Sequence, residues 1–88
     1  MDPRVRSLMA RYPVEPPADR YEDEWLRQNP SVAGYATGND PETKHSSVVL
    51  NPYSPLSPQQ KAHVQANESV RNYLFDTGAI LDFPLASH

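Results

Sequence analysis

Hydrophobic positions recur in short runs along this chain, and prolines close most of the runs. Val5, Leu8, Met9 and Tyr12 stand at i, i+3, i+4 and i+7, one face of a helix. Asp2 and Pro3 supply its start: the carboxylate accepts a first-turn N–H, and proline lacks the N–H that has no partner there. Pro13 ends it, because a residue before proline is pushed out of the helical region. Residues 13–18, Pro-Val-Glu-Pro-Pro-Ala, predict an extended, polyproline-like link. Asp19 offers a second N-cap, and Glu22 three residues later completes a capping box. Tyr21, Trp25 and Leu26 give that helix a narrow apolar stripe, which Asn29-Pro30 terminates.

The pattern then changes period. Residues 31–37, Ser-Val-Ala-Gly-Tyr-Ala-Thr, predict a strand, and Gly38-Asn39-Asp40-Pro41 a turn. Ser47-Val48-Val49-Leu50 is the strongest strand, being rich in β-branched residues. The two pair as a hairpin across a polar loop of about eight residues, and a hairpin needs a further surface to pack on. Asn51-Pro52-Tyr53-Ser54-Pro55-Leu56 is a bend, in which the Asn51 side chain closes a turn. Ser57-Pro58 with Gln60 marks the start of a helix over residues 58–76, and Gly78 is its C-cap. Ala62, Ala66, Val70, Tyr73 and Leu74 lie on one face of it. The tail, Ala79-Ile80-Leu81-Asp82-Phe83-Pro84-Leu85, is apolar enough to require a docking site, on the chain's own helix or on a neighbour.

The fold class that follows is a small, irregular α+β protein. It has about three short helices, a two-stranded hairpin and long proline-rich extended links. The chain divides into an N-terminal helix and link over residues 1–18, a helix plus hairpin over 19–56, and a helix with apolar tail over 57–88. Composition adds one constraint. Val, Leu, Ile and Phe make up 17 of 88 residues, just under the roughly 20 per cent that separates folded from disordered chains when net charge is high. The net charge is only −3, so an isolated fold is marginal, and burial against a partner is expected to complete it. There is no cysteine, so a disulfide-stapled scaffold is excluded.

The chain holds little that reads as chemistry. His45, His63 and His88 are far apart, with no ligand partner at i+3 or i+4, so no metal site is expected. No serine sits in a glycine-flanked elbow, and three isolated glycines make no phosphate-cradling loop. Glu22, Asp23 and Glu24 fan around a helix start, where they suit its dipole and do not converge. No cofactor and no catalytic role are therefore expected. No apolar run approaches a membrane span. Met1-Asp2-Pro3-Arg4 lacks a signal-peptide core, so the chain is expected in the cytoplasm or in a particle assembled there.

The remaining signals concern partners. Arg4, Arg6 and Arg11 make the first helix basic, but the acidic whole (pI about 5.4) and the lack of interleaved aromatics argue against nucleic acid. Arginine makes two-pronged contacts with carboxylates, so these three are expected to meet acidic groups on a protein. Tyr12, Tyr21, Trp25, Tyr35 and Tyr53 are spread over separate segments. They either pack on one another or anchor an interface, a role for which Tyr, Trp and Arg are favoured. The contact residues expected are Arg4, Arg6, Tyr12, Trp25, Tyr53 and Phe83.

Val48-Val49-Leu50-Asn51-Pro52-Tyr53-Ser54, then Leu56-Ser57, then Asn67-Glu68-Ser69-Val70-Arg71, resembles a pattern in small proteins of tailed bacteriophages. In those a strand ending in L-N-P-aromatic-S precedes a helix carrying N-E-x-x-R. The resemblance covers residues 48–74. It implies a minor virion component, such as a capsid decoration (cement) protein or a head–tail accessory, binding capsid or other virion proteins in many copies. Within it, Glu68 and Arg71 are spaced to pair across one helical turn. Two other readings remain open: a small regulatory inhibitor or adaptor of a host protein, and a nucleic-acid accessory protein acting through the first helix.

Overall fold

The structure is a computed structural model and describes residues 2–38, 46–79 and 86–87. Its elements follow in the order α1 (Pro3–Arg11), β1 (Val14–Glu15), α2 (Arg20–Gln28), β2 (Val32–Ala36), β3 (Val48–Leu50), α3 (Pro58–Asp76) and β4 (Ala86–Ser87). This is a small α+β fold, as the pattern predicts, with all three helices in their expected places.

The helix ends are set locally. Asp2 accepts the Arg4 N–H at 2.8 Å, and Asp19 accepts that of Glu22 at 2.9 Å. Glu22 reaches back to the Ala18 N–H at 2.8 Å, one residue beyond the cap itself. Ser57 and Gln60 form the full reciprocal box, at 3.1 and 2.8 Å. At the far end of α3, Gly78 takes φ +80, a conformation that costs glycine nothing. The Gly78 and Ala79 N–H groups then bond back to the carbonyls of Phe75 and Leu74, which satisfies the last turn.

The sheet is larger than the expected hairpin. Its strand order is β1-β3-β2-β4. The antiparallel pair is there, with Tyr35 opposite Val49 and Ala36 opposite Val48. The predicted link, however, is not free. Val14 and Glu15 run parallel to β3, opposite Val48 and Val49, and the Val48 N–H donates to the Pro13 carbonyl at 3.1 Å. Polyproline and β backbones differ little, so residues 14 and 15, which keep their N–H groups, join a ladder that Pro16 and Pro17 cannot extend. Ala86–Ser87 of the tail adds the other edge, beside β2. The apolar tail residues before it, Phe83 included, and the turn at residues 39–41 lie outside the described residues.

Successive strand residues face opposite sides, and each side carries a helix. Gly34 faces α3: a Cβ there would meet the Val49 carbonyl at 2.6 Å and a Val64 methyl at 3.2 Å, so only glycine fits. Tyr35 and Val49 face the other way, onto Leu26 of α2. α1 packs on α3, closed by a hydrogen bond from the Tyr12 hydroxyl to Asp76 at 2.7 Å. Burial and that carboxylate push the Tyr12 pKa up to about 12.

The inward face of α3 departs from the expected stripe. Ala66 is buried, but Tyr73 is exposed, and the deepest positions are Val64, Glu68, Ser69 and Asn72. Asn72 accepts the Gly38 N–H at 3.1 Å and donates to the Ser47 carbonyl at 2.7 Å, so it ties the neck of the hairpin to the helix. Asn51 does the same at the other end. Its Nδ2 lies 2.8–3.1 Å from the carbonyls of Leu26, Asn29 and Val32, and its Oδ1 accepts the Tyr53 N–H at 2.9 Å. The expected turn closure is thus one of four contacts. Two hydrogens serve three carbonyls, so one is shared.

Glu68 is 2 % exposed. Arg71 pairs with one of its oxygens at 3.6 Å across the expected turn. The other oxygen has no protein partner. Burial therefore pushes the Glu68 carboxyl above its ordinary range, against the pull of Arg71 and the Ala36 N–H.

Two predictions follow from this interior. Asn51→Ala removes a donor from the Val32 carbonyl and the acceptor of the Tyr53 N–H, and the second donor of the Leu26 and Asn29 carbonyls, which keep the Asn29 and Val32 N–H groups; it should cost about 2–4 kcal/mol in chemical denaturation. Asn51→Asp should cost at least as much, because a carboxylate cannot donate to carbonyls; a loss under 1 kcal/mol for either would mean that water replaces the side chain. Glu68 holds its proton to higher pH when folded, so its ionised form subtracts stability above that raised pKa. The deficit fades as pH falls through the raised pKa and is gone below the unfolded value. Glu68→Gln should therefore melt higher than the native chain at neutral pH, with the gap closing towards about pH 4. A gap that does not change with pH contradicts this.

Candidate protein-docking surface

Leu26 decides how α2 sits. It is the one fully buried residue of that helix, and Asn51 holds the carbonyl end of the same turn. With Leu26 fixed inward, Tyr21 and Trp25 cannot follow it. They stand one turn apart on the flank of α2 and are 76 % and 41 % exposed. The predicted apolar stripe thus divides: one residue holds the helix down and two face outward.

A third aromatic ring lies near α2. Tyr53 is 42 % exposed, and its hydroxyl donates to Asp23 at 2.8 Å. That carboxylate holds the Tyr53 pKa above its usual value. Arg27 bonds Glu24 with both its Nε (2.9 Å) and an Nη, and Gln28 adds a bond at 3.0 Å. Arg27 first, and Gln28 with it, bring the Glu24 carboxyl down to about 2. The Arg20 guanidinium sits over the Tyr21 ring, 5.6 Å from its centroid. Beside α2 lies an open groove of about 520 Å³ whose walls include Glu15, Pro16, Pro17, Glu22, Tyr35 and Val49.

The expected contact residues divide accordingly. Trp25 and Tyr53 are on the surface, near α2. Arg4 and Arg6 are exposed on α1, and Arg4 pairs with Asp2 at 3.1 Å. Arg4 lowers the Asp2 pKa. Tyr12 is a correction: at 3 % exposure it is an interior residue, because its hydroxyl finds Asp76, which is 64 positions away in sequence. Phe83 lies outside the described residues. Tyr21, the most exposed of the large hydrophobic side chains among the described residues, belongs to the expected apolar stripe and to the aromatics expected either to pack together or to anchor an interface. The signal that marks it is its setting among charged residues, Arg20, Glu22 and Asp23.

Among the described residues, no group of three or more His, Asp or Glu side chains is placed to hold a metal ion, and His63 lies exposed on α3. Ser69 is fully buried and cannot meet a substrate. Among the described residues, no helix is long and apolar enough to cross a membrane. The comparisons add no relative: no protein-family model, no curated protein and no solved structure matches the chain.

Trp25 is on the surface and Leu26 holds the helix in place, which makes a direct test. Leu26→Ala should cost about 2–5 kcal/mol. Trp25→Ala should stay within about 1 kcal/mol of the native chain in the same denaturation experiment. Equal losses would mean that Trp25 is packed inside and is not part of a docking surface.

Proposed function

We propose that this protein is a structural, non-catalytic component of a larger protein assembly, which it joins through α2 and the adjoining Tyr53. The observation that carries this reading is the outward pair Tyr21 and Trp25, mounted on a helix that Asn51 locks to the sheet. Exposed tyrosine and tryptophan on a fixed backbone lose little entropy on binding, and they are the residues most enriched at the energetic centres of interfaces.

The likeness of residues 48–74 to small tailed-phage proteins gives the assembly its proposed kind. In that reading the chain is a minor virion component, a capsid decoration protein or a head–tail accessory. A decoration protein makes many shallow contacts repeated by the symmetry of the shell. A small body with aromatic rings on one flank and arginines on another helix suits that work. The proposed place of action is then the assembled particle.

The test is copy number. Particles purified from cells that make this protein should carry it at one fixed ratio to the major shell protein, as read by quantitative mass spectrometry. The double variant Tyr21→Ala/Trp25→Ala should fall to less than about a tenth of that ratio, while its thermal melt stays the same. A chain that sediments free of particles overturns the reading.

A further inference from the structure

Among the described residues, charge is segregated by layer. α1 and its cap hold Arg4, Arg6 and Arg11 against the single carboxylate of Asp2. The stretch from Glu15 to Gln28 reverses the balance, with five carboxylates against Arg20 and Arg27. α3 is even, Lys61 and Arg71 against Glu68 and Asp76. The fold then keeps the two unbalanced pieces apart. α3 lies on the sheet face of Gly34 and carries α1 with it. α2 lies on the face of Tyr35 and Val49. Counted over the described residues, the helices on one side of the sheet are basic and the helix on the other acidic, and α1 and α2 of one molecule have the sheet and α3 between them.

We propose that α1 of one molecule docks on α2 of a second copy, so that copies stack head to tail. This rests on the reading of α2 as a docking surface and names its occupant. The outer side of α1 is shaped for such a contact. Val5, Leu8 and Met9 are half-buried, whereas Ser7 and Ala10 are small and exposed, and Arg6 and Arg11 flank them. The small residues leave room for the Tyr21 and Trp25 rings, and the guanidinium groups reach the carboxylates around those rings. Guanidinium groups also stack on aromatic faces. The fold already does this twice within itself, at Arg11 over Tyr12 and Arg20 over Tyr21.

A second copy is favoured over other partners because it uses both surfaces. An unrelated acidic protein would explain α1 alone, and a basic one α2 alone. A nucleic acid would be drawn to α1 and repelled by the acidic side. The contact joins two different patches, so it repeats in one direction until it closes into a ring or follows a lattice supplied by something else.

Sedimentation equilibrium on the purified full chain, with no particle present, tests this. At low salt the native chain should associate with rising concentration, and about 0.5 M salt should weaken that association by about tenfold or more, because exposed charges are screened. Arg6→Glu/Arg11→Glu and Asp23→Lys/Glu24→Lys should each be monomeric alone. Each should keep a cooperative melt, since Arg6, Arg11 and Glu24 are exposed and Asp23, half-buried, bonds the hydroxyl of the exposed Tyr53. An equimolar mixture of the two should associate again, because each then presents the charge that the other lacks. Tyr21→Ala/Trp25→Ala, which leaves the charges in place, should also lose association. A native chain that stays monomeric at low salt overturns the proposal, including one that instead binds duplex DNA through Arg6 and Arg11. Association that ignores salt and charge reversal overturns it too. A chain that is monomeric alone yet sits on particles at a fixed ratio refutes the stacking and leaves the assembly reading intact.

Discussion

Asn51 joins three stretches of backbone through one buried side chain. Its amide group holds the last carbonyls of α2 and the first of β2, its oxygen holds the bend at Tyr53, and its own N–H bonds to the Ala33 carbonyl at 2.9 Å. A helix end leaves carbonyls without partners, and burying them unpaired is costly. α2 ends against the sheet, where the Asn29 and Val32 N–H groups bond the Leu26 and Asn29 carbonyls and Asn51 adds a second donor to each. Asparagine is the side chain that offers two donors and an acceptor in one small, uncharged plane. Once it is in place, the path of α2 follows, Leu26 turns inward, and the direction of Tyr21 and Trp25 is settled. The candidate surface is therefore a consequence of a hydrogen bond made on the inner side of the helix.

The same device recurs wherever apolar material runs short. Asn72 ties α3 to the hairpin neck, and Asp76 receives both the Tyr12 hydroxyl and the Ser46 hydroxyl at 3.1 Å. Among the described residues, the largest fully buried side chains are Leu26 and Val48 beside four polar ones, Glu68, Asn51, Asn72 and Ser69. Directional bonds of this kind add little net stability each, about 1 kcal/mol. What they add is a single geometry, because a mispaired buried amide is far worse than a misplaced methyl group. Glu68 shows the cost of the arrangement: one of its oxygens is buried with no protein partner among the described residues, and Arg71 and the Ala36 N–H only partly offset the burial of the charge.

Local rules therefore carried the sequence reading as far as they apply. Asp2, Asp19 and Ser57 each announce a helix by a bond spanning two or three residues, and Gly78 ends one in the same way, so the helix positions were legible. The β-branched run at Val48 and Val49 marked its strand. What stayed hidden depended on distant partners. Val14 and Glu15 look like linker because the strand they pair with comes more than thirty residues later. Tyr12 looks like an interface anchor because nothing near it announces Asp76. The polar face of α3 defeats a search for apolar periodicity altogether, since Glu68, Ser69 and Asn72 are the residues that rule assigns to solvent. Tyr21 is open to both readings in sequence, as part of an apolar stripe and as an interface anchor, and the structure leaves it exposed because one leucine is enough to hold the helix.

This division bears on what the phage-like pattern can mean. Its two distinctive residues, Asn51 and Glu68, are both interior, one holding the joints of the fold and the other a buried ion pair. Proteins that share such a pattern would share a frame, because those positions leave few alternatives in side-chain size and bonding. The exposed rings and arginines are a separate matter. Tyr21 and Trp25 on α2, and Arg6 and Arg11 on α1, lie outside residues 48–74, and Tyr53 alone belongs to both the pattern and the surface. On the proposed reading, contact specificity is thus written mostly where the frame does not constrain it. The layered charge follows the same logic: α1 and α2 attach to the frame by a few inward residues each, which leaves their outer sides open to carry opposite charge.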